Sequence, residues 1–161
     1  MSIESRLKAL EDMWDVAQVF YRYAASLDAR DWESYRSLFA EIVEINFASM
    51  GPDWLTMTRD EWVAGRVHSG LDGCQHVMSN PQVTVDGDQA TCLIYVVAEH
   101  FLTNPDGDHW HTMGGLYRAS LSRFAEGWRI RKLQLTVIWK RGNPQIMDLA
   151  RSRLSAATAK S

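Results

Sequence analysis

Cysteine is scarce in this chain: of 161 residues only Cys74 and Cys92 are cysteine, and neither lies in a CxxC or mixed cysteine and histidine spacing. The pattern supports neither a disulfide framework nor a cysteine zinc site, and both side chains are expected as free thiols in neighbouring strands. Basic excess is also missing. With 17 Lys and Arg against 20 Asp and Glu, the formal net charge is −3, so no field steers the domain onto nucleic acid or an anionic membrane. No window approaches 18 uncharged apolar residues, and the charged start MSIESRLKALEDMWD lacks the apolar stretch of a signal peptide. A cytoplasmic location without membrane association is the expectation. The sequence contains no GxSxG, no P-loop and no GxGxxG, which removes the serine-nucleophile, nucleotide and dinucleotide readings. Repeats, low-complexity tracts and linkers are absent too, so a single domain over residues 1–154 is expected, followed by a polar tail over 155–161.

Material for a core is plentiful. Hydrophobic residues make up 46% of the chain and aromatics 11%, with seven tryptophans. A first helix is predicted from Ile3 to Leu27, N-capped by Ser2 with Glu4 in its first turn, and a second from Trp32 to Phe39, capped by Asp31. Alternation from Ile42 to Ala48 predicts a strand with Val43, Ile45 and Phe47 on one face. Gly51-Pro52-Asp53 then breaks the chain. Thr58-Arg59-Asp60-Glu61 is a capping box that opens a third helix reaching Ser69.

From there the pattern turns to strands: Gln75–Ser79, Gln82–Val85, Gln89–Thr103, Trp110–Phe124 and Trp128–Trp139. Tight turns at Asp86-Gly87-Asp88 and Ala125-Glu126-Gly127 and a longer one over residues 104–108 imply antiparallel pairing. Gly114-Gly115 in mid-strand is a bending point. Asn143–Leu154 reads as a final helix. Helices first and long strands afterwards make an α+β fold, in which a curved antiparallel sheet wraps the first helix as a cone with one open mouth. Small-molecule sites favour such concavities.

Asp28 stands out within this scheme. It continues the helical stripe Leu7, Leu10, Trp14, Ala17, Tyr21 and Ala24, so a carboxylate is expected on the buried side, where it needs a partner. His76, in the alternating run Gln75-His76-Val77-Met78-Ser79, is the candidate. An imidazole held by a carboxylate is fixed in one tautomer and suited to removing a proton. Tyr23 adds a phenol that can donate a hydrogen bond without ionising. Asn46, Trp54, Tyr95, His111, Tyr117 and Trp139 are the candidates for the substrate-binding wall, with Arg66 a further polar group. His109 and His111 flank a polar turn and read as rim positions, with no carboxylate motif beside them to argue for a metal. His68 and His100 carry no pattern and read as surface or packing residues. Asp86-Gly87-Asp88 lacks the remaining ligands of a cation loop.

The run Tyr21 to Trp32, then Gln75-His76-Val77, Gly114-Gly115-Leu116-Tyr117 and Gly127-Trp128-Arg129-Ile130, resembles the SnoaL-like branch of the nuclear transport factor 2-like superfamily over about residues 5–145. The resemblance implies a cone-shaped α+β barrel with a deep pocket and a homodimer or higher homo-oligomer. Within that superfamily the pattern is similar to scytalone dehydratase, the bile acid dehydratases and hexachlorocyclohexane dehydrochlorinase. Asp28 and His76 fall where those enzymes carry an aspartate and a histidine, and Tyr23 where the bile acid enzymes carry a tyrosine. The implied activity is a cofactor-independent lyase acting on a small, hydrophobic or ring-containing substrate. An isomerase or polyketide-type cyclase using the same pair, or a non-catalytic binding module, are the alternatives. Gly114-Gly115 stands where scytalone dehydratase has a further histidine, and the arginine and aspartate set of limonene epoxide hydrolases is not found.

Overall fold

The computed structural model describes residues 2–49, 51, 53–104 and 107–158, with side chains to Ala156. Pro52, and Pro105 and Asp106 of the longer turn, lie outside the described residues. The first helix, α1, spans Ile3–Ala29, with the Ser2 hydroxyl accepting from the Ser5 N–H. It ends at Arg30, whose left-handed backbone (φ 56°) returns its N–H to the Leu27 and Ser26 carbonyls. Its buried face is centred on Val16, Val19, Phe20, Tyr23 and Leu27, with Ala17 and Ala24 beside them. The expected stripe is rotated from this face by roughly a third of a turn. Leu7, Leu10 and Trp14 lie in the first half of the helix, which nothing covers, and are exposed at 54, 64 and 62%, whereas Ala17 and Ala24 of the same stripe are buried and Asp28 sits at the margin of the buried side.

Helix α2 (Trp32–Ser37) is capped by Asp31, and the chain turns directly into strand β1 (Phe39–Asn46), two residues before the expected helix end. A short strand β2 (Leu55–Thr58), not anticipated from the sequence, precedes α3 (Arg59–Ala64). The capping box forms as read: the Glu61 N–H donates to Thr58 Oγ1 at 3.2 Å and the Thr58 N–H to Glu61 Oε2 at 2.8 Å. The third helix then stops early, and a separate 3-10 turn covers Val67–Gly70.

Four long strands follow: β3 (Gly73–Asp86), β4 (Gln89–Phe101), β5 (Trp110–Phe124) and β6 (Gly127–Gly142). The two predicted runs at 75–79 and 82–85 are one strand, interrupted by a bulge between Ser79 and Gln82 where Asn80 takes a positive φ of 55°. The strand order is β2-β1-β6-β5-β4-β3. All pairs are antiparallel except β1 with β6, so the sheet is mixed, a correction to the all-antiparallel expectation. It curves without closing. Gly114-Gly115 does bend it: the β5–β6 register slips there, and a Cβ on Gly115 would stand 2.5 Å from the Thr136 carbonyl oxygen.

The concave face holds α1, and the main core lies between them. The final helix α4 (Ile146–Thr158) extends past Leu154 into the stretch read as a tail, and residues 159–161 lie outside the described residues. Ile146 and Ala150 of α4 form a second small core with Leu71 and Leu102. The helix sits so close to the 3-10 turn that a Cβ on Gly70 would meet the Ala150 carbonyl oxygen at 2.1 Å.

Candidate active site

Strand register decides which side chains face the concavity. In β3 and β4, Cys74 pairs with His100, His76 with Ala98 and Met78 with Val96, and paired residues share a face of the sheet. His100 pairs in turn with His111 of β5, and Ala98 with Met113. Three histidines from three adjacent strands therefore look inward within two neighbouring rows, all of them buried. His68, from the 3-10 turn, lies over them with its ring 5.3 Å from that of His76 and 5.6 Å from that of His100.

The Asp28 carboxylate grips His76 twice. Its Oδ1 lies 2.6 Å from the ring Nδ1, and its Oδ2 accepts the His76 main-chain N–H at 2.8 Å. Asp28 belongs to the last turn of α1, so the helix end and the second residue of β3's inward row are fixed to each other. Because Asp28 can only accept, Nδ1 carries the proton and the Nε2 lone pair is left free. The Asp28 side chain is 23% exposed and that of His76 only 3%.

A cavity of about 350 Å³ opens beside this pair. His76, His68, His100 and His111 form its polar end, Tyr23, Tyr117, Phe47 and Trp62 its aromatic walls, and Met147 and Arg151 of α4 flank it. Tyr23 Oη and Tyr117 Oη are 3.4 Å apart. Burial drives both phenols well above the ordinary tyrosine value, so each is a neutral donor. Arg66 stacks its guanidinium on Trp62, 3.3 Å from the ring centroid, and adds a cation to the wall. Burial pushes His100 down to about 4 and His68 well below the ordinary histidine value, with the charge of His76 as the next cause, so both rings are neutral. His111 moves down too, for the same reason of burial. The Cys74 thiol, pushed up to about 12 by burial first and Asp28 second, is not a thiolate nucleophile.

Of the expected residues, Tyr23, His76, His111 and Tyr117 line the cavity, and Asp28 stands behind His76. Four do not belong there. Tyr95 and Trp139 point to the outer face of the sheet, 39 and 45% exposed, where Trp139 covers Gly114 so closely that a Cβ there would stand 2.1 Å from its indole. Trp54 is likewise exposed and lies under the Lys132 ammonium. Asn46 is buried but engaged elsewhere: its amide donates to Asp53 at 2.7 Å and its carbonyl accepts from Ala48, which shapes the chain leaving β1. His109 also serves locally, accepting the Asn104 N–H at 2.9 Å. His68 and His100, read as packing or surface, are part of the wall. His100 had a signal, since it continues the inward series Cys92, Ile94, Val96, Ala98, whereas His68 had none. A second hollow, of about 660 Å³, is walled by Glu99, Thr112 and Arg141, which bond to one another, and by Cys74 and Gln75 of β3.

Comparisons place this architecture among known proteins. The family described as the SnoaL-like domain matches residues 8–134. The Kfla4162 protein of Kribbella flavida is 27% identical, covers 89% of this chain and 99% of its own, and superposes with a TM-score of 0.81. A candidate scytalone dehydratase from Novosphingobium aromaticivorans gives 0.71 at 21% identity, covering 83% of this chain and 89% of its own. The type 3 hexachlorocyclohexane dehydrochlorinase of Novosphingobium barchaimii gives 0.68 at 16%, with 90 and 97% covered. No curated protein matches the sequence. Among the described residues, no helix is long and apolar enough to cross a membrane.

Proposed function

The chain belongs to the SnoaL-like domain family, and from that premise we propose that it is a cofactor-independent lyase of the dehydratase or dehydrohalogenase type. The observation that carries this reading is the Asp28–His76 pair, closed at 2.6 Å, beside a cavity of about 350 Å³. In the proposed step His76 Nε2 removes a proton from a substrate carbon, the C–H electron pair becomes the new double bond, and a hydroxyl or halide departs with its own bonding pair. Asp28 holds the tautomer and stabilises the imidazolium, Tyr23 donates a hydrogen bond to a departing hydroxyl without ionising, and the imidazolium returns its proton to that oxygen, which leaves as water. The aromatic walls suit a small, largely apolar ring compound. A dehydratase and a dehydrochlorinase among the structural neighbours support the reaction class.

The Tyr23–Tyr117 pair favours one second reading. Two neutral phenols side by side can hold a developing enolate oxygen, and the same dyad could then return the proton to another carbon, as an isomerase or cyclase does. As in other such domains, two copies would associate, and the exposed Val77, Tyr95, Val97 and Trp139 on the outer face are where they would pack.

The test is turnover on a panel of cyclic β-hydroxyketones and halides, read by product mass. Loss of water or hydrogen halide supports the lyase, and unchanged mass the isomerase. Full activity in Asp28→Asn on the accepted substrate would overturn both. Sedimentation velocity reads the oligomeric state, and a monomer at micromolar concentration would contradict the packing.

A further inference from the structure

The dyad accounts for one of the inward histidines and leaves the arrangement of the others unexplained. His68, His76 and His100 each offer a ring nitrogen within 4.8 Å of those of the other two, and all three are at least nine-tenths buried. Their hydrogen bonds make the grouping unusual. His76 spends Nδ1 on Asp28, and His100 spends Nδ1 on the His111 carbonyl at 3.1 Å, which can only accept. Both rings therefore carry their proton on Nδ1 and keep an Nε2 lone pair, with no hydrogen bond to either Nε2 among the described residues. The Nδ1 of His68 is buried and also has no partner. A buried ring nitrogen without a partner is costly, and His68 Nδ1 lies in a group whose other two rings each keep an unused acceptor, which an electron-poor centre could share.

We propose that His68, His76 and His100 form a binding site for one divalent transition-metal ion of the zinc class, with the fourth position open to the cavity. Three neutral imidazoles with one coordination place left over is a ligand set that such ions accept. The outer partners are those that usually orient metal-bound histidines: a carboxylate behind His76 and a backbone carbonyl behind His100. Zinc to nitrogen bonds of about 2.1 Å require the three nitrogens to draw in to a spacing of about 3.4 Å. His111, although its ring lies 5.7 Å from that of His100, is outside the triad and contributes its carbonyl. The inference does not rest on the lyase reading. It bears on it, because an ion on His76 Nε2 occupies the lone pair that would remove a proton, so metal and elimination exclude each other.

The experiment is metal titration of the untagged, chelator-treated full chain, without substrate. Co²⁺ should bind once per chain and give the intense visible bands of a tetrahedral site, and Zn²⁺ should displace it. His68→Gln and His100→Gln should each weaken Zn²⁺ binding at least ten-fold in calorimetry, and Asp28→Asn by about 10- to 100-fold, as losses around metal-bound histidines do. Circular dichroism checks that the variants fold. Should a variant fail to fold, anomalous diffraction from Zn²⁺-soaked crystals of the unmodified protein decides: a peak between the three rings supports the site. Absence of saturable one-to-one binding, a peak only elsewhere, or unchanged affinity in both histidine variants would overturn it. Loss of elimination activity in Asp28→Asn belongs to the lyase reading alone, since none of these readouts uses turnover.

Discussion

The two halves of α1 are built from similar residues and meet different surroundings. Through its first half Leu7, Leu10 and Trp14 face solvent, and Asp12 is the buried residue, held by Arg123 at 2.8 Å. Through the second half Val16, Phe20, Tyr23 and Leu27 pack beneath the concave sheet, and the last turn brings Asp28 to His76. The helical period is continuous across both. What differs is whether another layer stands opposite, and that is a property of the assembled fold. Function follows the half that has a layer to face.

The contrast can be broken most severely at its functional end. Asp28→Asn or His76→Ala should lower turnover by about 10²- to 10⁴-fold while leaving the far-ultraviolet dichroism unchanged, and steady-state kinetics on the accepted substrate measures it. Next comes packing. Phe20→Ala, in the covered half, should cost about 3–5 kcal/mol in urea unfolding, because its buried ring leaves a cavity that a tight core closes poorly.

Acid should expose the same covered region. His100 holds its folded value near 4 against an ordinary 6.5, so the unfolded chain takes the proton first as the pH falls. Stability is full above about 6.5, declines below it and levels off near 4, with a loss on the order of 3 kcal/mol in metal-free protein. His68 moves in the same direction. Urea midpoints at several pH values should show a shallower decline in His100→Gln, and equal slopes in the two proteins would contradict the assignment.

In the uncovered half the effects shrink. Asp12→Asn should cost about 1 kcal/mol. Arg123 holds the Asp12 carboxyl below its usual range, so this contribution is present above the ordinary carboxylate value and disappears as the pH drops through the folded one. Trp14→Ser should change stability by less than about 0.5 kcal/mol despite removing the largest side chain of the exposed stripe. A loss comparable to that of Phe20→Ala would mean that something covers that stripe in solution.

Local chemistry was legible wherever the chain answers to its neighbours in sequence. Ser2, Asp31 and the Thr58–Glu61 box cap helices as read, and turns at Gly87 and Gly127 join the strands expected. The Asp28 and His76 pairing was also accessible, because a carboxylate beside an apolar helical face demands a partner. Strand faces were harder. Period-two alternation states that two faces exist without saying which is concave, so Tyr95 and Trp139, expected in the wall, point outward. Short β2 and the parallel pairing of β1 with β6 depend on contacts distant in sequence. His68 reaches the cavity through a 3-10 turn whose direction no local pattern encodes.

An open sheet must leave two edges, and β3 is one of them, fourteen residues long. Such an edge is a template on which an unfolding neighbour could add a strand and begin a fibre. The bulge between Ser79 and Gln82 interrupts it at mid-length: Asn80 turns the backbone with its positive φ, and Pro81 has no N–H to offer. An incoming strand would find two short ladders out of step instead of one long one. The irregularity that divides the apolar pattern of this strand thus also breaks the continuity of the edge as a template for aggregation.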